Sequence, residues 1–451
     1  MTDTFFGTDG VRGLANSGKM TPSSMLRLGQ IAGAYFTSDG DKKPSALIGM
    51  DTRMSGEMIE SALIAGLTSA GMDVQRAGIL PTSGVSLMTK ATGADLGVMI
   101  TASHNKYLDN GVKFFGADGC KLSDKVESDI EAHLREDTPA LVHSRDIGRV
   151  RTLSGLQSRY IELCKATLPS GSTLKGLKVV LDAANGAAFA TAAQTLSELG
   201  ADDVISIGVS PTGENINAGC GSTATDLLSQ TVVAESADVG VALDGDADRI
   251  IMCDENGKII DGDQLLGLIA KSWKSQGRLS NGGIVATIMS NLGLEHYLKT
   301  QDLKLIRTQV GDRHVSARMR SEGYNVGGEQ SGHLLMTDFS PTGDGTMAAI
   351  QILAEIKRQG KAASEVLDVF DPVPQILKNV RFAGASPMNH PDLLAAIQKV
   401  KADLVGTGRV LIRASGTEPL IRVMVESTDV ELMNVKVDEL VASVKSIVSE
   451  A

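Results

Sequence analysis

The sequence predicts an α/β fold: three related α/β domains with mixed or mostly parallel sheets, then a smaller C-terminal α+β domain. Three observations carry this. A strand–loop–helix–cap–strand grammar recurs at residues 45–77, 177–207 and 283–306. After Asp371-Pro-Val-Pro374 the order becomes β-α-β-β-α. Forty-nine glycines against 12 prolines call for many tight turns between short elements.

In the first domain, residues 45–50 read as a strand, 55–70 as a helix with Gly71 as its C-terminal cap, and 74–77 as the next strand. Residues 94–101 form an apolar run ending in β-branched side chains, a buried strand. Residues 109–115 read as a tight turn and a further strand. In the second domain, 177–181 is a strand, 182–186 a loop, 187–199 a helix capped by Gly200, and 204–207 and 239–243 are strands. The third has a strand at 283–288, Ser290 as helix N-cap, a helix at 291–299 and a strand at 303–306. What repeats is the pattern, not the sequence, and repeats of solenoid length are absent. In the last domain, 377–382, 409–413 and 420–426 are strands, 392–404 a helix and 430–448 a long amphipathic helix. The expected boundaries are 1–153, 154–254, 255–370 and 371–451, with 371–374 as linker and hinge.

Length fits three domains of about 150 residues, or four smaller ones. A net charge of −11 argues against general binding to nucleic acid or to an anionic membrane, but leaves room for a locally basic cleft. Cys120, Cys164, Cys220 and Cys253 form no CxxC pair, which suits reduced thiols in a cytosol better than a disulfide framework or zinc site. The N-terminus lacks a basic region followed by an apolar stretch, and no run approaches a membrane span of about 20 residues. A soluble, cytoplasmic protein is expected.

Four loops carry chemistry. Ile100-Thr-Ala-Ser-His-Asn-Lys106 follows a buried strand, so the hydroxyl of Ser103 sits where reactive groups are commonly displayed; taken alone, a capping or turn serine explains it better. Asp244-Gly-Asp-Ala-Asp-Arg249 follows the strand 239–243. Its alternate carboxylates repel one another unless a cation neutralises them. On a straight strand alternate side chains lie roughly 6.7 Å apart, whereas ligands of one Mg²⁺ sit about 2.1 Å from it. The segment must therefore curl, and Gly245 and Ala247 are small enough to let it. A calcium EF-hand is excluded, because Arg249 stands where that loop needs glycine and a strand rather than a helix follows. Gly327-Gly-Glu-Gln-Ser-Gly-His333 offers Glu329 and Ser331 to adjacent sugar hydroxyls, although a plain glycine turn fits equally. Val310-Gly-Asp-Arg-His314 is a similar polar turn. Arg413-Ala-Ser-Gly-Thr-Glu-Pro419, with Arg422, joins an arginine, hydroxyls and glycine-released N–H groups into a phosphate cradle. The opening stretch Phe6-Gly-Thr-Asp-Gly-Val-Arg-Gly13 places Thr8, Asp9 and Arg12 close together.

In order, the serine, aspartate, Gly328-to-His333 and Arg413-to-Pro419 segments resemble the four signature loops of the α-D-phosphohexomutase superfamily over essentially the whole chain. The opening stretch and Gln330 are similar to its bacterial branch acting on glucosamine phosphates; the phosphomannomutase/phosphoglucomutase branch, the nearest alternative, commonly carries Met at that place. The resemblance implies four domains around a central cleft. It implies a phosphorylated Ser103, with Mg²⁺ held by Asp244, Asp246, Asp248 and a phosphoserine oxygen. The expected reaction converts glucosamine 6-phosphate to glucosamine 1-phosphate, towards UDP-N-acetylglucosamine and the cell wall, through glucosamine 1,6-bisphosphate. That compound or another hexose bisphosphate would serve as activator. Arg12, Lys113 and Arg249 would add positive charge, and Lys113 or His104 would shuttle the proton. Glu329, Ser331 and His333 would contact the sugar, and Arg413, Ser415, Gly416, Thr417 and Arg422 the distal phosphate. Such proteins are often homodimers, although no stretch here declares an interface.

Overall fold

The computed structural model describes residues 5–7, 9–37, 43–136, 141–383, 386–414 and 419–450. The chain forms two compact units: Met1–Thr287 with Ile306–Val369, and Ile288–Leu305 with Phe370–Ala451.

The first sheet contains β1 (Val11–Leu14), β2 (Ser45–Met50), β3 (Asp73–Ile79), β4 (Leu96–Ile100), β5 (Asp109–Gly116) and β6 (Val150–Thr152), in the order β1-β5-β4-β2-β3-β6. The inner strands β2, β3 and β4 run parallel, while β5 pairs antiparallel with both β4 and β1. Every residue of β4 is buried, as a continuous apolar strand covered on both faces requires. Met25, Leu28 and Ile31 of the helix Pro22–Thr37 share a core with Ile59, Leu63 and Leu67 of the helix Gly56–Ser69 and with Ile48 and Val98. Both helices place these residues at three- and four-residue spacing, one apolar stripe each.

The second sheet, β7 (Lys178–Asp182), β8 (Asp203–Ile207), β9 (Val239–Leu243), β10 (Ile250–Asp254) and β11 (Ile259–Ile260), has the order β11-β10-β9-β7-β8. Here β7, β8 and β9 are parallel, and β9, β10 and β11 antiparallel. The third holds β12 (Gly283–Thr287), β13 (Lys304–Thr308), β14 (Val326–Gly328) and β15 (Leu334–Met336), with β12 parallel and β15 antiparallel to β14. The fourth, β16 (Gln375–Arg381), β17 (Gly408–Ala414) and β18 (Leu420–Ser427), is wholly antiparallel, with β18 in the middle. Leu393 and Val400 of the helix Pro391–Asp403, and Val437, Leu440 and Val444 of the helix Val430–Glu450, cover it at Val423 and Val425. Three mixed sheets and one α+β domain are the expected class.

Three local expectations fail. The tight turn expected at Asp109-Asn-Gly111 is already strand, because β5 begins at Asp109 and pairs there with Leu14 of β1. The alanine-rich stretch 187–199 reads as one helix, but the helix runs only Ala192–Glu198. The Ala187 N–H donates to the Gly245 carbonyl at 2.8 Å, so this backbone is committed to the aspartate loop. The helix Leu292–Thr300 is capped not by Ser290 but by Asn291, whose Oδ1 accepts the Gly293 N–H at 2.8 Å.

The strand ends set the site. The serine loop leaves β4, the aspartate loop leaves β9, and the glycine-rich loop joins β14 to β15; the parallel strands thus deliver their reactive groups at their carboxyl ends. No helix among the described residues is long and apolar enough to cross a membrane.

Candidate active site

Ser103 is buried and has a left-handed backbone, φ +52°. For a residue with a Cβ this costs of order 1–2 kcal/mol and persists only where neighbours enforce it. Its N–H donates to Thr101 Oγ1 at 2.9 Å, and Thr101 in turn donates to Asp51 Oδ2 at 2.7 Å. Arg53, buried and paired with Asp51, donates to the carbonyls of Ser103 and Asn105 at 2.8 Å and of Lys106 at 2.5 Å. Asn217 Nδ2 donates to the Ser103 and Asn105 carbonyls at 2.9 and 3.0 Å. The loop is clamped by groups that bind its backbone and leave the hydroxyl to its own partner.

That partner is Asp244. Ser103 Oγ donates to Asp244 Oδ2 at 2.7 Å, across 141 residues of sequence. Gly245 is where the two loops meet: a Cβ there would lie 2.5 Å from the Ser103 carbonyl, so only glycine fits. Ala247 takes the left-handed region, φ +59°, which curls the segment as the carboxylate spacing demands. Asp244, Asp246 and Asp248 are buried and bring carboxylate oxygens within 4.8 Å of one another. Asp246 Oδ1 and Asp248 Oδ1 are buried without a hydrogen-bond partner. Burial first, then the charges of Asp248 and Asp246, pushes the Asp244 carboxyl well above its ordinary range. Orphaned acceptors, an under-compensated carboxyl and an all-oxygen donor set fit a hard divalent cation.

Lys113, on β5, is buried; it donates to Asp246 Oδ2 at 2.8 Å and Asp248 Oδ2 at 3.0 Å, and pairs with Asp9 at 3.2 Å. Although its burial works the other way, Asp246, Asp248 and Asp9 raise its pKa, so it is a fixed cation and not a solvated lysine. Against its own burial, Lys113 and the Thr82 hydroxyl hold Asp246 below the usual carboxylate range. His104 Nδ1 lies 3.3 Å from Ser103 Oγ. Burial, then the charges of Arg249 and Arg12, pushes His104 down to about 4, so the ring is neutral near pH 7. Arg12 pairs with Asp9 at 3.0 Å.

The glycine-rich loop is stitched to the aspartate loop by backbone. Ile250 N–H donates to the Gly332 carbonyl at 3.0 Å, and Arg249 and His333 form a β-bridge. Glu329 Oε1 accepts the Gly311 N–H at 2.9 Å, which ties in the 310–314 turn. Ser331 is exposed. His333 is buried, with Nε2 3.8 Å from Asp248 and 3.7 Å from Asp312. Gln330 Nε2 donates to Asp261 at 3.0 Å, the residue that caps the helix Gly262–Ser275. A cavity of about 210 Å³ is lined by Asp9, Arg12, Asp248, Arg249, Glu329 and His333, among others.

In the C-terminal unit, Arg413 and Arg422 stand directly opposite each other across β17 and β18. Like charges so placed repel; burial and then Arg422 lower the Arg413 pKa, and Arg422 Nε is buried without a partner. An anion between them would relieve both. Ser415, Gly416 and Thr417 lie outside the described residues.

Arg53, Asn217 and Thr82 escape a reading of the sequence. Arg53 and Asn217 bind carbonyl groups, which any residue supplies, so no side-chain pattern betrays them. Thr82 donates to Asp246 across 164 residues.

The chain matches four family models in order: phosphoglucomutase/phosphomannomutase alpha/beta/alpha domain I at residues 3–140, domain II at 158–257, domain III at 261–373, and the C-terminal domain at 377–443. Among curated relatives, the phosphoglucosamine mutase of Sphingopyxis alaskensis is 55% identical over 98% of this chain and 99% of its own. That of Roseobacter denitrificans is 54% identical over 98% of each chain. Among solved structures, a phosphoglucomutase/phosphomannomutase family protein from Burkholderia thailandensis superposes with a TM-score of 0.80 at 21% identity, covering 98% of this chain and 97% of that one. The Aspergillus fumigatus N-acetylphosphoglucosamine mutase, solved with GlcNAc-6P and magnesium, gives 0.68 at 18% identity, covering 99% of this chain and 96% of that one.

Proposed function

The chain belongs to the phosphoglucomutase/phosphomannomutase family, and we propose that within it the enzyme interconverts glucosamine 6-phosphate and glucosamine 1-phosphate. The observation that carries the chemistry is the 2.7 Å bond from Ser103 Oγ to Asp244, inside a carboxylate trio with two buried oxygens that accept no hydrogen bond. The substrate follows the relatives named phosphoglucosamine mutase, which align over nearly the full chain.

Asp244, Asp246, Asp248 and a phosphoserine oxygen at Ser103 would hold Mg²⁺. When bound, it offsets charge on the transferring group and improves the serine oxygen as leaving group. Ser103 carries a phosphoryl group between turnovers. The Oγ–P bond breaks as a bond forms from phosphorus to the free sugar hydroxyl, giving glucosamine 1,6-bisphosphate. The bisphosphate turns end for end and returns its other phosphoryl group to Ser103. The hydroxyl proton passes to the neutral ring of His104 and from its Nδ1 to the departing Ser103 oxygen 3.3 Å away, while Lys113, held cationic, offsets the carboxylates. Arg12 and Arg249 draw the transferring phosphoryl group. Glu329, Ser331 and His333 meet the sugar, and a mutase needs contacts that serve both orientations. Arg413 and Arg422, with Ser415, Gly416 and Thr417, hold the phosphate that stays. Glucosamine 1,6-bisphosphate or another hexose bisphosphate would re-prime an enzyme that has lost its phosphate.

Coupled assays on glucosamine, glucose and mannose phosphates test the substrate. The expected result is a clear preference in kcat/KM for glucosamine phosphate; a preference for glucose or mannose would place the chain in the neighbouring branch. Steady release of inorganic phosphate without product isomer would mark a phosphatase instead. Arg413→Ala should raise KM for both sugar phosphates roughly 10- to 100-fold, the loss of a charge-assisted bond of about 1.5–3 kcal/mol. An unchanged KM would take Arg413 out of the phosphate site.

A further inference from the structure

Two helix N-termini grip the aspartate loop, and neither belongs to the sheet that bears it. The helix Thr82–Thr92 begins at Thr82, whose N–H donates to the Asp246 carbonyl at 3.0 Å and whose Oγ1 donates to Asp246 Oδ2 at 2.5 Å. Lys113 donates to the same oxygen at 2.8 Å. Two donors thus saturate Oδ2 and fix the rotation of the carboxylate, which leaves Oδ1 as the free ligand atom. The helix Gly345–Gln359 approaches from the other flank. Its Gly345 N–H donates to the Ala247 carbonyl at 2.9 Å, holding the left-handed residue between Asp246 and Asp248.

Asp344 locks the two grips together. Its Oδ1 caps the second helix by accepting the Met347 N–H at 2.8 Å. Its Oδ2 accepts from Ser83 Oγ at 2.6 Å, beside Thr82 in the first helix, and from Tyr160 OH at 2.9 Å. Ser83, Tyr160 and Asp344 are all buried, so none of these bonds competes with water.

We infer that Thr82 and Asp344 are positioning residues for the divalent cation. Thr82 orients Asp246 directly, and the Ser83–Asp344–Tyr160 cluster keeps both helix ends pressed on the Asp246–Asp248 backbone. The inference rests on the metal reading above, and neither residue touches the reacting atoms. Groups that orient metal ligands are commonly worth 10- to 100-fold in metal affinity.

The test is Mn²⁺ binding to the full-length, metal-free protein, read from the electron-paramagnetic-resonance signal of free Mn²⁺, without any turnover. Thr82→Val keeps the shape and loses the hydroxyl; its Kd should rise roughly tenfold, and Thr82→Ser should restore it. Asp344→Asn, which retains the helix cap, should raise Kd by several-fold. It also supplies the answer should Thr82→Val fail to fold. In assays, Thr82→Val should need proportionally more Mg²⁺ for half-maximal rate, with most of kcat recovered at saturation. A folded Thr82→Val that binds Mn²⁺ within twofold of wild type would overturn the positioning role alone. Wild-type protein that binds no Mn²⁺ would overturn the metal reading and this inference with it.

Discussion

Ser103→Ala should abolish the mutase reaction, leaving less than about one part in 10⁴ of wild-type kcat/KM, because the proposed carrier of phosphate between turnovers is gone. The fold should survive. The substitution removes one hydroxyl and its bond to Asp244, a net loss of about 1 kcal/mol, and alanine meets the same left-handed backbone penalty as serine. The thermal midpoint should therefore move by only a few degrees. Intact mass provides the companion measurement. Phosphatase treatment should lower the mass of the wild-type enzyme by one phosphate, mapped to the peptide bearing Ser103, and leave Ser103→Ala unchanged. A variant that retains a hundredth of wild-type activity would remove Ser103 from the reaction.

Lys113→Met should damage both stability and turnover. Methionine keeps most of the stem but leaves Asp246 and Asp248 buried without their shared cation. Breaking a buried pair in this way costs about 3–5 kcal/mol. The pH dependence has a definite sign. The raised pKa of Lys113 contributes stability that is complete below its unfolded value, about 10.4, and is lost as pH rises through the folded value. The lowered pKa of Asp246 contributes stability present above about 3.9 and lost as pH falls through its folded value. The gap in melting temperature between wild type and Lys113→Met should thus be widest between those limits and close towards both extremes. Turnover should fall by roughly 10²- to 10³-fold, because two carboxylates of the trio lose the fixed cation that offsets them. A melting gap that does not vary with pH would mean that Lys113 acts through packing alone.

The sequence makes some of this legible and hides the rest for a physical reason. The aspartate trio and the Arg413 loop stand out by the side chains they bring together at their spacing, whereas Ser103 alone reads as a turn serine and stands out only beside them. The curl of the 244–249 segment follows from ligand distances alone, and the left-handed Ala247 supplies it. The carbonyl-binding clamps are silent. Arg53 and Asn217 recognise backbone, and backbone carries no identity. Helix length fails for a related reason. Alanine-rich residues 187–191 favour a helix locally, yet the bond from Ala187 to Gly245 outweighs that small preference. The cap of Leu292–Thr300 turns on whether Ser290 or Asn291 reaches Gly293, a choice between two good cap formers. No neighbouring residue in the sequence marks Lys113 as interior; only the antiparallel register of β5 on β4, with Lys113 opposite Met99, together with Asp246 and Asp248 arriving from another sheet, makes it an interior cation.

The backbone bonds around the aspartate loop bear on how this protein can be cut. Ala187 reaches it from one direction, Thr82 from a second, and Gly332 and Gly345 from a third. Segments that match three separate family models therefore make one foldable object, and their borders record ancestry more than autonomy. A truncation ending at residue 257 would keep the aspartate trio with Ala187 and Thr82 but lose the anchors at Gly332 and Gly345. Nor does a cut at 370 free a tidy tail: Asn291 bonds to the Val373 carbonyl at 3.0 Å, so residues 288–305 would be separated from the segment before β16 with which they share a unit. Engineering that treats the chain as four interchangeable cassettes will sever its centre each time.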